Sequence, residues 1–183
     1  ENADLSTVYQ SLAPYLMDSA SFFWVAEQKE FPSRIKPGRY RINEGWSNNR
    51  LVNHLKAGNQ EPLTLVIHDV KNWSELAQLL GKNLQAEPSE FLTLFHQPES
   101  LEFIDANART LYTYVIADSY EFYWTATPVE VLKRLSQEAN KFWDSQSGSI
   151  KDHPLNRLEI VTLASMVEYE TRQPDEMPVV AEL

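Results

Sequence analysis

The sequence predicts an α+β chain, with a small mixed unit over residues 1–68 followed by a mostly helical region over 69–183. Three observations predict it. Apolar residues recur at intervals of three and four through most of the chain. Two short strand-like runs, near residues 39–42 and 63–67, flank a single helix in the first part. Past Asp69 nearly every segment has a helical pattern.

Val8, Tyr9, Leu12, Ala13 and Leu16 predict a helix over Leu5–Met17, which Pro14 breaks or restarts. Phe22, Trp24, Val25 and Ala26 predict a second over Ser21–Phe31, ended by Pro32. In Ile35-Lys36-Pro37-Gly38-Arg39-Tyr40-Arg41-Ile42, Pro37-Gly38 is a turn signal and Arg39–Ile42 alternates as a strand does. Ser47 suits the N-cap of a helix through Leu51, Val52 and Leu55, with Gly58 as its stop. Leu63–Ile67 is a β-rich run that completes a hairpin-like pair with the earlier strand.

From Asp69 onward, Ser74–Leu84 is amphipathic, and Pro88-Ser89-Glu90 opens a helix through Phe91, Leu92, Leu94 and Phe95. Leu101–Leu111 is a weaker helical pattern. Tyr112–Trp124 is aromatic, has no helical period and predicts extended chain. Thr127-Pro128 caps a helix continued by Val131, Leu132, Leu135, Ala139, Phe142 and Trp143. Ser145–His153 is polar and predicts a loop. Asn156–Thr171 is the last clear helix, and Pro174 and Pro178 bracket a short connection to a final apolar start, Val179-Val180-Ala181.

Hydrophobic residues make up 43% of the 183, enough for a core, which excludes a disordered chain. The formal charge of −10 comes without a basic patch, which argues against nucleic acid as a partner and against an anionic membrane surface. Without cysteine there is no disulfide framework, thiol catalysis or cysteine-held zinc. His54, His68, His96 and His153 are scattered, with no pair at helical ligand spacing, so no metal site is expected. No apolar run approaches the ~20 residues of a membrane span. The chain opens at Glu1 without an initiating Met and stops at Leu183 inside a helical pattern, which is expected of a piece of a longer protein.

The helix Asn156–Thr171 carries the main candidates. Ile160, Leu163, Ala164 and Val167 form its core side, and Val161 and Met166 widen the apolar arc, so burial on most sides is expected. Glu168 and Glu170 lie on this helix, about 160° apart at about 100° per residue, so they do not act as a pair on one bond. Each borders the apolar arc, and the wheel does not choose between them. One reading leaves them at the helix end, exposed or paired with Arg172. The other holds one carboxyl in an apolar wall, where desolvation keeps it protonated for general-acid work. Asp118 lies within the aromatic stretch; it either caps a turn beside a core strand or sits in a sugar cleft whose ring faces stack on pyranoses.

Three segments together resemble one family. Leu163-Ala164-Ser165-Met166-Val167-Glu168-Tyr169-Glu170-Thr171 is similar to its helix bearing an E-x-E motif. Ile35-Lys36-Pro37-Gly38-Arg39-Tyr40, followed by the helix from Ser47 to Gly58, resembles its K-[AP]-G-x-Y turn and next helix. Ala117-Asp118-Ser119-Tyr120-Glu121-Phe122-Tyr123-Trp124 looks like its P-[DN]-T-Y-x-[FV]-Y-W segment, with Ala117 in place of proline and Tyr112-Thr113 where many members have Glu-Gly. The family is the endolytic murein transglycosylases, the YceG-like proteins once labelled aminodeoxychorismate lyases. The resemblance covers nearly the whole chain in order and spacing.

The resemblance implies a LysM-like module over 1–68 and the N-terminal part of a catalytic domain over 69–183, incomplete and inactive alone because the family's domain continues past this helix. It implies endolytic cleavage of peptidoglycan between N-acetylmuramic acid and N-acetylglucosamine, leaving 1,6-anhydromuramyl ends. Glu168, by its place in the motif, is the implied catalytic residue. Asp118, Tyr120, Ser165 and Glu170 are the candidate substrate-binding residues. No cofactor is implied. The implied partners are glycan strands and the cell-wall synthesis machinery, and the implied location is outside the cytoplasmic membrane, anchored by one N-terminal helix beyond this sequence. Two competing readings are a non-catalytic peptidoglycan-binding module or scaffold, and a pyridoxal-phosphate lyase, which would need a Schiff-base lysine in a phosphate pocket that no lysine here offers.

Overall fold

The computed structural model describes residues 4–97, 104, 106–107, 109–150 and 153–182. The chain forms two compact units, Glu1–Thr64 with Glu121–Ala126, and Leu65–Tyr120 with Thr127–Leu183. The first change of unit falls between Thr64 and Leu65, and the later segment Glu121–Ala126 groups with the first unit.

In the first unit, helix α1 spans Leu5–Leu12 and is capped by Asp4, whose carboxylate accepts the Thr7 N–H at 2.7 Å. That bond, with the Thr7 hydroxyl, holds the Asp4 carboxyl below its usual range. Pro14 restarts the chain as a 3-10 turn over Ala13–Tyr15. Helix α2, Ser19–Gln28, starts earlier than its apolar pattern because Asp18 caps it through the Ala20 N–H. Pro32 lies in the first turn of a second 3-10 stretch, Phe31–Arg34. Helix α3, Asn48–Ala57, has Ser47 at its N-cap and Gly58 in the left-handed conformation (φ 76°) after its last turn. Leu12, Phe22, Ala26, Phe31, Leu51, Val52 and Leu55 make the core of this unit.

Arg39–Ile42 forms no strand. One backbone bond, from the Glu61 N–H to the Arg39 carbonyl at 2.8 Å, links it to the chain before the first strand. Tyr40 is held instead by its hydroxyl, which donates to the Lys36 carbonyl at 2.9 Å. The alternation that predicts a strand here records one-sided cover of Tyr40, which a side-chain tether supplies without a ladder. Strand β1, Leu63–Ile67, alternates buried and exposed residues and pairs antiparallel with β2, Asp118–Phe122. The expected hairpin partner is thus replaced by one far along the chain.

In the second unit, α4 (Trp73–Asn83) and α5 (Pro88–His96) pack closely. Gly81 permits this approach, since a Cβ there would lie 2.5 Å from Pro88 Cδ. The expected helix Leu101–Leu111 lies largely outside the described residues. Leu111–Tyr114 is a 3-10 turn rather than extended chain, and only the later part of the aromatic run becomes β2. Helix α6, Pro128–Ser145, opens with a capping box between Thr127 and Glu130. It buries Val131, Leu132, Leu135, Ser136, Ala139 and Trp143. The Trp143 indole N–H donates to the Thr113 carbonyl at 2.9 Å, tying α6 to the 3-10 turn.

Within the expected loop after Ser145, Ser147–Ile150 forms a short helix, α7. Polarity there marks a solvent-facing segment, and the backbone still closes an Ile150 N–H to Gln146 carbonyl bond at 3.1 Å. Helix α8 spans Arg157–Glu170 and α9 Met177–Ala181, with Pro178 in its first turn. Among the described residues no helix is long and apolar enough to cross a membrane.

Candidate active site on helix α8

The start of α8 is fixed by a reciprocal cap. The Glu159 N–H donates to Asn156 Oδ1 at 3.1 Å, and the Asn156 N–H donates to Glu159 Oε2 at 2.8 Å. The expected burial on most sides is not found. Val167 is the buried apolar residue of the helix, while Leu158, Ile160, Val161 and Leu163 are half-buried. Met166 is 61% exposed and Tyr169 87%. The apolar arc is wider than the neighbours available to cover it, since α8 packs against α9 and the Leu111–Tyr114 turn.

Glu168 sits in the last turn of α8 and is exposed. Among the described residues it has no hydrogen-bond or ion-pair partner. Glu170 is likewise exposed. Arg172 does not pair with either; it reaches Asp69 Oδ2 at 3.5 Å. The apolar wall around a carboxyl is therefore not built by these residues, and the exposed alternative describes both glutamates. Ser165 lies one turn before Glu168 on the exposed side, its hydroxyl donating to the Thr162 carbonyl at 2.8 Å.

The other two candidates lie on β2. Asp118 is exposed, and its Oδ1 accepts the Ser119 N–H at 2.7 Å. Tyr120 is 2% exposed, and its hydroxyl donates to the Ile116 carbonyl at 2.7 Å. Burial first, and then the Asp118 charge, push the Tyr120 phenol up to about 12. Its ring supports the strand from within, whereas Asp118 faces solvent. Ser165 and Glu168 share one side of α8, Glu170 lies about 160° around the same helix, and Asp118 stands apart on a separate element.

Two features had no sequence signal strong enough to find them. Trp73, at the start of α4, stacks on Tyr112 with ring centroids 3.9 Å apart and an interplanar angle of 20°, leaving Tyr112 41% exposed. The guanidinium of Arg157, in the first turn of α8, lies 5.3 Å from the Trp143 ring centroid. Both depend on residues far apart in sequence, and only the aromatic richness around Tyr112 hinted at the first.

The model of the YceG-like family matches residues 1–183. The chain belongs to the YceG-like family. Its fold is similar to that of a YceG-like protein from Listeria monocytogenes, known from a crystal structure, with a TM-score of 0.57 and 12% sequence identity. That likeness covers 96% of this chain and 64% of the other, so this YceG-like chain spans about two thirds of that protein's length. No curated protein matches. Family membership is compatible with a murein transglycosylase of lyase type.

Proposed function

We propose that this YceG-like chain is part of a lytic transglycosylase that cuts peptidoglycan strands internally between N-acetylmuramic acid and N-acetylglucosamine. The observation that carries the reading is Glu168, a solvent-facing carboxylate with no protein partner among the described residues, set on the helix that bears the family's E-x-E pattern. A carboxylate committed to a salt bridge is poorly suited to exchange protons with a substrate, and this one is not so committed.

In the proposed reaction the Glu168 carboxylic acid gives its proton to the glycosidic oxygen as the bond from C1 of the muramyl unit to that oxygen breaks. The carboxylate then removes the proton from the muramyl O6 hydroxyl, O6 bonds to C1, and the acid is restored. No water is consumed. One carboxyl suffices because the nucleophile belongs to the substrate, and its attack gains from intramolecular placement. A sugar packed over Glu168 excludes water from the reacting carboxyl, cover that the helix alone does not supply. Ser165, Glu170 and Asp118 are the proposed substrate contacts, with Tyr120 holding the strand beneath Asp118. The substrate places the domain outside the cytoplasmic membrane, and the N-terminal residues serve as a LysM-like glycan-positioning module.

The test is digestion of purified peptidoglycan by the full-length protein, wild type beside Glu168→Gln, with the fragments weighed. Anhydro products, lighter than hydrolytic ones by one water, are expected from the wild type. The substitution is expected to lower the rate by about 10²-fold or more. Retention of more than about a tenth of the rate would remove Glu168 from the reaction.

One observation favours a second reading, a non-catalytic wall-binding module. Tyr40, His54 and Trp46 form an edge-on aromatic cluster in the first unit, with Arg50 4.5 Å from the Trp46 ring centroid. Sedimentation of the protein with cell wall, together with no cleavage by the wild type, would select it.

A further inference from the structure

The C-terminal end of α8 is closed by a device that the reaction outlined above does not use. Thr171, in extended conformation (φ −145°, ψ 141°), follows the last residue of the helix, and its N–H donates to the Val167 carbonyl at 3.0 Å. It is 9% exposed, one of few buried polar side chains among the described residues. Its hydroxyl is used twice. It donates to Glu176 Oε2 at 2.7 Å, and it accepts the Gln173 N–H at 3.1 Å. The first is a short bond to a carboxylate, the stronger class of neutral-to-ionic hydrogen bond. The second fixes the backbone where the chain turns towards α9, which packs back on α8. Next in sequence, Arg172 reaches Asp69, a residue with positive φ (58°) just after β1. That ion pair is exposed and adds little by itself, so the hydroxyl is the principal tie.

Glu168 stands three residues before Thr171, inside the last turn of α8 that the bond from the Thr171 N–H to the Val167 carbonyl closes. Final helical turns fray when their carbonyls are left to solvent. Here the last turn carries the proton-exchanging group, and an error of about 1 Å in placing such a group can cost about 10²-fold in rate. We propose that Thr171 is a positioning residue: its hydroxyl ties the 171–176 turn to the end of α8 and so holds Glu168 at one height and angle for proton transfer. This inference rests on the catalytic reading of Glu168.

The experiment compares wild type, Glu168→Gln, Thr171→Val and Thr171→Ser in the full-length protein. Valine keeps the β-branched shape and removes the hydroxyl; serine keeps the hydroxyl. For Thr171→Val, turnover at saturating glycan is expected to fall about tenfold, with the glycan concentration at half-maximal rate and the melting temperature little changed. Hydrogen exchange is expected to show lost protection at the Gln173 amide. Thr171→Ser is expected to restore turnover to within about twofold. Undiminished turnover in Thr171→Val, or a loss that serine does not rescue, overturns the positioning role. A loss that tracks the melting temperature overturns it too, since the hydroxyl would then only hold the fold. No cleavage by the wild type overturns the catalytic reading itself, a result distinct from a failed Thr171 because no variant then has a rate to compare.

Discussion

Helices α6 and α8 begin alike and end differently. Each opens with a reciprocal cap, Thr127 with Glu130 and Asn156 with Glu159. Each has apolar residues at helical spacing. Yet α6 buries six side chains, including Leu132 and Leu135 at 0% exposure, while α8 buries Val167 and leaves Met166 and Tyr169 in solvent. The difference teaches that cap and periodicity settle where a helix starts, whereas burial is settled by what packs on it. α6 lies against α5 and the 3-10 turn and anchors that turn through Trp143. α8 touches its neighbours along one side and presents its last turn, with Glu168, to solvent. A helix that stabilises a unit and a helix that carries the proposed proton-exchanging Glu168 differ in the cover they need.

The contrast is open to breaking by mutation. The largest expected effect on stability is at α6: Leu135→Ala removes a fully buried side chain and is expected to cost about 2–5 kcal/mol, whereas Met166→Ala on α8 is expected to stay within about 0.5 kcal/mol. Urea unfolding of both variants checks this, and an equal cost would mean that α8 is covered in solution. The next effect is on pH. The Tyr120 phenol is raised by burial against its ordinary value, so the folded state holds its proton longer than the unfolded chain does. Stability should therefore be intact below about pH 10 and fall as pH rises towards 12. Tyr120→Phe should flatten that fall in thermal melts at alkaline pH. The smallest effect is at the caps, where Thr127→Ala and Asn156→Ala are each expected to cost about 1 kcal/mol. Similar losses at the two would show that the helices differ in cover and not in how they start.

Much of the first unit was legible because its signals are local. Ser47 and Gly58 bound α3 as read and Pro14 restarts the chain, whereas α2 ends at Gln28 and not at Phe31 before Pro32. Arg39–Ile42 misled because alternation is also produced by a single half-covered tyrosine. His54 was equally illegible: its Nε2 is buried without a hydrogen-bond partner among the described residues, which no scattered histidine announces. In the candidate site, Glu168 was reached through its motif, but its exposure was not, since an apolar arc reports what could be buried and not what neighbour arrives.

By itself the sequence determined the α+β character, the positions of most helices and the helix that carries the E-x-E pair, because caps, prolines and periodicity act over a few residues. Only the tertiary structure decided that Leu63–Ile67 pairs with Asp118–Phe122, that residues 121–126 join the first unit, that Tyr120 is interior while Asp118 is not, and that Thr171 closes the end of α8. Those outcomes depend on contacts between distant segments, where many partners satisfy the same local pattern and the whole fold selects one.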